Sequence, residues 1–341
     1  MSEFDLGVLG WTPELADNLQ PGLVPGRVVA AHRAAFDVRT AAEVVRTRLP
    51  GRLLNERVEV AVGDWVGLAD GLVRAVLPRR SAIIRKASGL TSQPQTLAAN
   101  VDVAFIVSSL GPDLEPRRIE RYLVTIWESG ASPEIVLTKA DRFDDPAEMV
   151  ASVEAVAINV PVHVVSSVSG YGIDALRSRF EPGSTAVLIG SSGVGKSTLV
   201  NHFAGRELMP TTETRVDDDE GRHTTTHRQL IALPGGGVVI DTPGIRELQL
   251  WEGNLEEAFA DVEEISRRCR FSDCSHNTEP DCAVTAALLS GELLRERHAS
   301  WLQLQRELRS IAMRTDAQLR REEKRKWQLR ARDARTRTRP R

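Results

Sequence analysis

Short runs in which hydrophobic and polar residues alternate fill the first quarter of the chain. Turn signals separate these runs at the pairs Pro50-Gly51, Gly63-Asp64 and Asp70-Gly71. A period of two predicts β-strands, and the predicted strands are Arg27–Ala31, Phe36–Thr40, Val58–Val60, Trp65–Leu68 and Val73–Leu77. Five short strands with Gly-rich turns predict a small barrel. Residues 1–20 are predicted to form a loosely ordered leader.

From Val101 onward, apolar runs alternate with segments of helical period. The predicted strands are Val103–Val107, Ile135–Leu137, Val162–Val165, Ala186–Ile189 and Val238–Ile240. The predicted helices are Arg117–Glu128, Pro146–Ile158 and Lys196–Phe203. Such alternation predicts a mostly parallel sheet with helices on both faces. Leu233–Gly237, with three glycines, predicts a hairpin turn, and after about Trp251 the pattern is helical and charged.

These patterns predict a multidomain α/β protein. The predicted segments are a leader (1–20), a barrel (21–90), an α/β domain (91–254), a helical domain (255–319) and a basic tail (320–341). For the barrel, the five-stranded oligonucleotide-binding (OB) type is the leading candidate, and a barrel that serves only for packing is the alternative. The composition, with 41% hydrophobic and 27% charged residues, is typical of globular proteins. Since no membrane span or secretion signal is visible, we expect a cytoplasmic protein with no membrane partner.

The formal net charge of −3 conceals a strong asymmetry along the chain. From Arg320 to Arg341 there are eleven Lys or Arg and three acidic residues, so this tail carries +8 and residues 1–319 carry −11. A basic arm on an acidic body favours a polyanionic partner. The alternative is a frayed helix that only improves solubility.

A phosphate-loop motif follows the predicted strand Ala186–Ile189 and opens the predicted helix at Lys196. Its pattern is G-x-x-x-x-G-K-[ST], whose glycines let backbone N–H groups approach phosphate oxygens. The residues predicted to hold the nucleotide phosphates are Gly190, Ser191, Ser192, Gly193, Val194, Gly195, Lys196, Ser197 and Thr198. Lys196 is expected to reach the β- and γ-phosphates, and the Ser197 hydroxyl to ligate Mg²⁺.

A base-reading motif, Thr138-Lys139-Ala140-Asp141, lies before the phosphate loop, although it usually follows it. The Asp141 carboxylate would accept paired hydrogen bonds from guanine, and Lys139 would lie along the base and ribose. Adenine lacks that donor pair, so it would leave the carboxylate unpaired at a cost of a few kcal/mol. Ser166 and Ser167 end the next strand, where a backbone N–H would meet the guanine oxygen.

Three further sites are expected to contact Mg²⁺ or to respond to the γ-phosphate. Asp241 ends a strand where its carboxylate would contact Mg²⁺ through water, and Gly244 would offer its N–H to the γ-phosphate and swing when that phosphate leaves. Between the phosphate loop and Asp241 runs a long segment whose end, residues 221–226, reads Gly-Arg-His-Thr-Thr-Thr. There Thr225 would complete the Mg²⁺ ligands and His223 would position the attacking water; an ordinary exposed loop is the alternative. Ile245 stands where many GTPases carry a water-orienting Gln, so we expect slow intrinsic turnover.

All three cysteines of the chain lie close together with a histidine, in the pattern Cys269-x₄-Cys274-x-His276-x₅-Cys282. Three thiolates and one imidazole form the closed tetrahedral ligand set of a structural zinc ion. Such an ion would supply roughly 10 kcal/mol of the folding free energy of this segment. The alternative is three unrelated buried thiols.

The rotated motif order, the 221–226 segment, the preceding barrel and the Cys₃His segment together resemble the bacterial small-subunit ribosome biogenesis GTPases (RsgA-like). The resemblance covers about residues 22 to 300. It implies a circularly permuted GTPase domain between an OB barrel and a C-terminal zinc domain, using GTP, Mg²⁺ and one structural Zn²⁺. It also implies a protein that binds the small ribosomal subunit and its rRNA late in assembly, is stimulated by it, and leaves after hydrolysis. Thr138 departs from the usual Asn.

We expect GTP to hold the barrel and zinc domain in a geometry that binds rRNA. The barrel, the Arg-rich tail and the arginines Arg267, Arg268 and Arg270 would contact its phosphates, and we expect the protein to be a monomer. Two other hypotheses remain open at this point. One is a nucleic-acid-binding regulator that uses nucleotide only as a structural ligand. The other is an ATP-dependent enzyme in which Thr138–Asp141 is accidental.

Overall fold

The structure is a computed structural model that describes residues 4–32, 35–86, 94–208, 228–241, 254–272, 274–276 and 279–315. It divides into two compact units, Met1–Gln249 and Leu250–Arg341. None of the helices in these described ranges combines the length and hydrophobicity needed to cross a membrane.

The first unit contains thirteen strands and six α-helices among its described residues. Its strands are β1 Val24–Ala31, β2 Phe36–Thr40, β3 Val44–Thr47, β4 Trp65–Ala69, β5 Leu72–Val76, β6 Ala82–Lys86, β7 Pro94–Ala99, β8 Val103–Ser109, β9 Ser132–Thr138, β10 Val162–Val164, β11 Thr185–Ile189, β12 Arg228–Ala232 and β13 Val238–Asp241. Its helices are α1 Pro13–Asp17, α2 Gly51–Asn55, α3 Pro116–Ser129, α4 Ala147–Glu154, α5 Ile173–Arg177 and α6 Lys196–Ala204, with 3₁₀ turns at Leu6–Leu9 and Ala140–Arg142.

Eleven of these strands form one sheet in the order β10-β9-β8-β11-β13-β12-β1-β2-β3, with β4 and β5 continuing from β1. The strands β10, β9, β8, β11 and β13 are parallel, and all the others in the sheet pair antiparallel. Strands β6 and β7 form a separate hairpin. The predicted multidomain α/β class, with an N-terminal β domain and a parallel sheet after it, is confirmed.

The N-terminal β domain is built around β1, which pairs with β2 on one side and β4 on the other. Strands β3 and β5 add to the outer sides, and α2 joins β3 to β4. The Thr47 hydroxyl donates to the carbonyl of Gly71 over 2.8 Å, so the end of β3 is tied to the β4–β5 turn. The core is aliphatic and consists of Val28, Val38, Leu53, Val66, Leu68 and Val73.

Two predictions for this region are wrong. Residues 4–20 are not loosely ordered: Leu6, Leu9 and Leu15 are buried, and the Trp11 ring packs on Trp65 with centroids 4.9 Å apart. Residues 58–60 form no strand. The side chains of Val58 and Val60 do pack against the core of this β domain, and Glu59 between them does not, which explains the alternating pattern. The backbone there forms a local hydrogen bond instead of a strand pairing: the N–H of Val58 donates to the carbonyl oxygen of Leu53.

The parallel sheet is covered on both faces, as predicted. Phe105 of β8 contacts Phe180, and Phe180 contacts Phe203 of α6, with ring centroids 5.5 and 4.7 Å apart. Ile106 points to the opposite face, because successive strand residues alternate. There it lines a small cavity together with Ile119 of α3. The hairpin turn predicted at Leu233–Gly237 joins β12 to β13.

The second unit is helical in its described residues. Its helices are α7 Leu255–Ala258, α8 Ala260–Ser266, α9 Ala283–Ser290 and α10 Arg295–Thr315. Buried Arg297 of α10 anchors this unit: it donates to the carbonyl of Ala258 over 2.7 Å and to the Asp261 carboxylate over 2.9 Å. Its guanidinium also lies 4.0 Å from the ring centroid of Phe259.

Candidate nucleotide and metal sites

The phosphate loop begins where β11, a fully buried strand, ends at Ile189. Gly190 follows with φ of 150°, and a Cβ placed there would lie 2.1 Å from the carbonyl oxygen of Val107. Only glycine therefore fits against β8 at this point. Gly195 has φ of 97° and begins helix α6, so the backbone reverses and its first N–H groups face the loop. This is the arrangement that binds phosphate at a helix N-terminus.

Lys196 folds back over this loop. Its Nζ donates to the carbonyl oxygens of Gly190 and Ser191 over 2.7 and 2.6 Å. On the outer side, Arg118 of helix α3 donates to the Ser191 hydroxyl over 3.1 Å and pairs with Glu115 over 2.7 Å. Arg118 could not be predicted as a site residue, because no motif marks it and it comes near the loop only through the packing of α3.

Thr138 connects the base-reading motif directly to the phosphate loop. It is buried at the end of β9, and its hydroxyl lies 2.6 Å from the carbonyl oxygen of Val194 and 3.3 Å from that of Ser108. Two motifs separated in the chain by the whole of β10 and β11 thus share a hydrogen bond. Thr stands where Asn is usual, and its hydroxyl bonds to the phosphate-loop backbone.

The rest of the base-reading motif is joined to the loop after β10. Lys139 has a left-handed φ of 62°, which turns the chain sharply after the strand. The hydroxyl of buried Ser166 donates to Asp141 Oδ1 over 2.5 Å, so the carboxylate is held at the strand ends. His202 of α6, which the sequence analysis also missed, contacts the Ser167 carbonyl oxygen through Nε2 at 2.9 Å.

Asp241 lies at the same edge of the sheet as the phosphate loop. Strands β11 and β13 are parallel, with Val187 beside Ile240, so Asp241 is level with Leu188, two residues before Gly190. The ends of β9, β10, β11 and β13 therefore bring the base-reading, serine, phosphate-loop and Asp241 residues to one edge. In open α/β sheets, ligands bind at this carboxyl edge.

Several predicted site residues lie outside the described ranges. They are His223, Thr225, Gly244 and Ile245, together with the rest of the 221–226 segment. Their roles stay predictions, as do those of Ser192, Gly193, Ser197 and Thr198, which the structure places in the loop and the first turn of α6.

The four predicted metal ligands converge in the second unit. The ligand atoms of Cys269, Cys274, His276 and Cys282 all lie within 4.8 Å of one another. The Sγ atoms of Cys269 and Cys282 are 4.0 Å apart, and each lies 3.6 Å from Nδ1 of His276. A tetrahedral zinc ion, with bonds of about 2.3 Å to sulfur and about 2.0 Å to nitrogen, would separate two sulfurs by about 3.8 Å. The cluster fits zinc in both donor type and spacing.

Helix α9 supports the cluster electrostatically. Cys282 is its N-cap, and Sγ accepts a hydrogen bond from the N–H of Thr285 over 3.4 Å. Burial opposes ionisation of this thiol, but the hydrogen bonds from Thr285 and His276 prevail and lower the pKa of Cys282 to about 6. A thiolate, the form that binds metal, is therefore favoured at neutral pH.

The arginines predicted to contact phosphate lie beside this cluster. Arg267 is exposed, whereas Arg268 pairs with Glu292 over 2.5 Å and Arg270 with Asp281 over 2.9 Å. Both pairs are more than half exposed. Solvent screens such pairs strongly, so they leave the arginines open to exchange with another anion.

A phosphate loop lies at the carboxyl edge of a parallel sheet, and it is hydrogen-bonded to a guanine motif that precedes it in the chain. This combination defines a GTPase with rotated motif order. The family model described as RsgA GTPase matches residues 76–251. The chain belongs to this family of GTP-hydrolysing enzymes.

Individual relatives agree over most of the chain. The protein named small ribosomal subunit biogenesis GTPase RsgA of Streptomyces coelicolor is 45% identical over 95% of this chain and 92% of its own. The crystal structure of YjeQ from Thermotoga maritima has a TM-score of 0.64 at 26% identity and covers 84% of this chain and 98% of its own. YloQ, described as a circularly permuted GTPase, shares the fold with a TM-score of 0.61 at 24% identity, over 85% of this chain and 96% of its own.

Proposed function

We propose that this protein hydrolyses GTP during late maturation of the small ribosomal subunit, binds the subunit through rRNA, and leaves after hydrolysis. Relatives named small ribosomal subunit biogenesis GTPase match nearly the whole chain. Within the chain, the observation that carries the proposal is the 2.6 Å hydrogen bond from Thr138 to Val194. This hydrogen bond supports a single purine nucleotide site despite the rotated order of the motifs in the sequence.

Each predicted residue has a role in this proposal. Asp141 and Lys139 read guanine, and the N–H groups of the Ser166-Ser167 loop meet its oxygen. The phosphate loop and Lys196 hold the phosphates. Bound Mg²⁺ would neutralise developing phosphate charge, and the residues that would hold it are Ser197, Thr225 and Asp241. His223 positions the attacking water, and Gly244 senses the γ-phosphate.

Release follows from the order of the chain. The segment after Gly244 leads into the second unit, which begins at Leu250. Loss of the γ-phosphate would therefore change a segment that is covalently continuous with the zinc-binding cluster.

The cluster of Cys269, Cys274, His276 and Cys282 would hold zinc for stability, since a closed ligand set leaves no position for chemistry. We propose that the protein acts as a monomer.

The decisive experiment is a multiple-turnover GTPase assay with and without purified small ribosomal subunits. We expect slow turnover alone and a clear increase with small subunits, whereas large subunits serve as the control. Lys196→Ala should abolish both rates, because the lysine that reaches the β- and γ-phosphates is missing. Equal rates with and without small subunits would refute the proposed role.

Guanine specificity is tested separately by competition. Unlabelled GTP should displace a fluorescent guanine nucleotide, while ATP should fail, because adenine cannot pair with the Asp141 carboxylate. Equal displacement by ATP would favour an ATP-dependent enzyme instead.

A further inference from the structure

Arg27 of β1 is 1% exposed, and its guanidinium bonds to four separate segments of the first unit. Nε donates to the carbonyl of Gly63 over 3.2 Å, and Nη1 to that of Leu9. Nη2 donates to the carbonyl of Asn100 over 3.2 Å and to the hydroxyl of Thr185 over 2.8 Å. Its partners thus lie in the N-terminal segment, in a barrel loop, in the connection between β7 and β8, and at the first residue of β11.

The environment of this guanidinium is unusual for a purely stabilising group. Burial lowers the pKa of Arg27 to about 10, and it remains charged at neutral pH. Its hydrogen bonds in the described structure go to carbonyls and a hydroxyl rather than to a carboxylate, while the Trp65 ring lies 5.3 Å from the guanidinium carbon. Burying a charge in this way is costly, and apolar residues would pack at less cost. What arginine adds is a planar set of donors that fixes several groups in one geometry.

The segments that Arg27 joins are in close backbone contact. A Cβ on Gly63 would lie 2.1 Å from the Ala99 carbonyl oxygen, so the barrel loop presses directly on the chain that enters the GTPase sheet. A Cβ on Gly10 would lie 2.5 Å from the Gly183 carbonyl oxygen, two residues before β11. Contacts this tight leave little freedom for the barrel loop to move against Ala99, or for the N-terminal segment to move against the chain that enters β11.

Strand β11 carries this contact to the phosphate loop. Thr185 begins the strand and Gly190 follows its last residue, so the five-residue strand connects Arg27 to the loop. At its start, the Thr185 N–H donates to the Asp102 carboxylate over 2.8 Å, and the Thr185 hydroxyl accepts from Arg27. The strand is parallel to its neighbours on both sides and fully buried, hence a stiff connection.

The same barrel strand also pairs with β12, which lies beside β13 and its last residue, Asp241. The end of β1 pairs with β12, Ala30 beside Gln229 and Ala31 beside Arg228. Strand β12 begins directly after the segment predicted to sense the γ-phosphate. A single strand of the barrel therefore contacts both the strand that enters the phosphate loop and the strand that leaves this segment.

We propose that Arg27 is a positioning residue that couples the barrel to the phosphate loop through the Thr185 hydroxyl, so that partner binding at the barrel changes the rate of GTP turnover. The inference rests on the proposed function, since it requires a partner that stimulates the enzyme. Arg27 touches neither nucleotide nor partner in this proposal.

The test compares Thr185→Val with Thr185→Ser, which differ only in size and in the hydroxyl that accepts from Arg27. The readout is the ratio of turnover with small ribosomal subunits to turnover alone, together with GDP affinity and subunit affinity. We expect Thr185→Val to lower the ratio roughly three- to tenfold, which is the range that the net contribution of one intramolecular hydrogen bond predicts. Both affinities and the basal rate should stay within about twofold of wild type, and Thr185→Ser should restore the ratio.

A wild-type ratio in Thr185→Val, even with a lowered melting temperature, would overturn the inference and leave Arg27 a structural residue. If Thr185→Val does not fold, Arg27→Lys is measured by the same ratio, since it keeps the charge and loses the planar donor set. An unchanged ratio in Arg27→Lys would overturn the inference in the same way. Absence of stimulation in the wild-type protein would reject the proposed function itself, so the two failures are distinguishable.

Discussion

A single hydroxyl, that of Thr138, is expected to have a large effect on nucleotide binding. It donates from the end of β9 to the Val194 carbonyl oxygen in the phosphate loop, and both residues are buried. A buried carbonyl that loses its donor costs about 1–3 kcal/mol. The bond therefore fixes the distance between the part of the site that reads the base and the part that holds the phosphates.

We predict that Thr138→Val weakens GDP binding roughly tenfold, because valine keeps the shape and removes the hydroxyl that holds the two motifs together. Thr138→Ser, the matched control, should bind almost as wild type. Titration calorimetry with GDP measures both. Unchanged affinity in the valine variant would show that packing alone sets the geometry of the site.

At this scale the sequence identifies motif residues well and their partners poorly. Gly190 and Gly195 are predicted as phosphate-loop glycines, and the structure gives both the positive φ that the motif requires. Arg118 and Arg27 were not singled out, because their partners lie far away in the chain and no fixed spacing marks them. Motifs record local backbone requirements, whereas these contacts depend on the packing of distant segments.

Among the strands, β1 is unusual in having three partners: β2, β4 and β12. Its pattern was predicted from Arg27 to Ala31, and the strand begins earlier, at Val24. Strands β3 and β12 and the β6–β7 hairpin were not predicted. Strands β3 and β12 are short or partly exposed, so their alternation is weak. Strand β7 is buried continuously from residue 96 to 99, so it shows no alternation. An alternating pattern arises when one face of a strand is buried. It therefore gives little information about strands that are stabilised mainly by backbone hydrogen bonds to their neighbours.

Strands β2 and β3 carry an ion pair that makes barrel stability depend on pH. Hydrogen bonds from Arg46 lower the pKa of Asp37 to about 2. A depressed pKa stabilises the fold above the unfolded value of about 3.9, and that stabilisation is lost as pH falls toward 2. Because Arg46 is exposed, we expect only about 1 kcal/mol.

We predict that Asp37→Asn lowers the free energy of unfolding by about 1 kcal/mol at pH 6, and that its difference from wild type shrinks as pH falls below 4. Urea denaturation over this range measures the difference. Glu43→Gln, on the turn between the same two strands, is the control. A difference independent of pH would mean that Asp37 stabilises the barrel by something other than its charge.

In the second unit, the metal cluster joins the start of α9 to the chain after α8. We predict that Cys274→Ala loses bound zinc and loosens the C-terminal region, because three ligands hold the ion less tightly than four and its binding energy contributes to folding. Metal analysis and hydrogen exchange measure both effects, and GDP affinity should change little. Full zinc content in this variant would refute the ligand set, while Ser275→Ala controls for local substitution.

At the scale of the whole molecule, charge is distributed very unevenly. The tail from residue 320 to 341, which lies outside the described residues, carries +8 on an otherwise acidic chain. We predict that affinity for the small subunit falls at least about tenfold between about 50 and 200 mM salt, because bound phosphates release counterions. Replacing Arg335, Arg337, Arg339 and Arg341 with Gln should flatten this dependence. Binding measured by sedimentation that is insensitive to salt would remove the electrostatic part of the proposal.

The general organisation was predictable because each part has its own hydrophobic pattern. The barrel has a period of two, the GTPase domain alternates between strand and helix patterns, and the remainder has the helical period. The joining of barrel and GTPase domain into one sheet was not predictable, since the β1–β12 pairing connects residues about two hundred positions apart. The boundaries set from sequence stay a prediction, and none of them indicates this shared sheet.

The shared sheet limits how the protein can be shortened. If the chain were cut before β8, strand β12 would lose β1 and display the unpaired N–H and carbonyl groups on that side. Bare strand borders invite pairing with other copies, which is a common cause of aggregation. An isolated GTPase fragment would then precipitate for reasons unrelated to catalysis, and its inactivity would say nothing about whether the barrel takes part in hydrolysis.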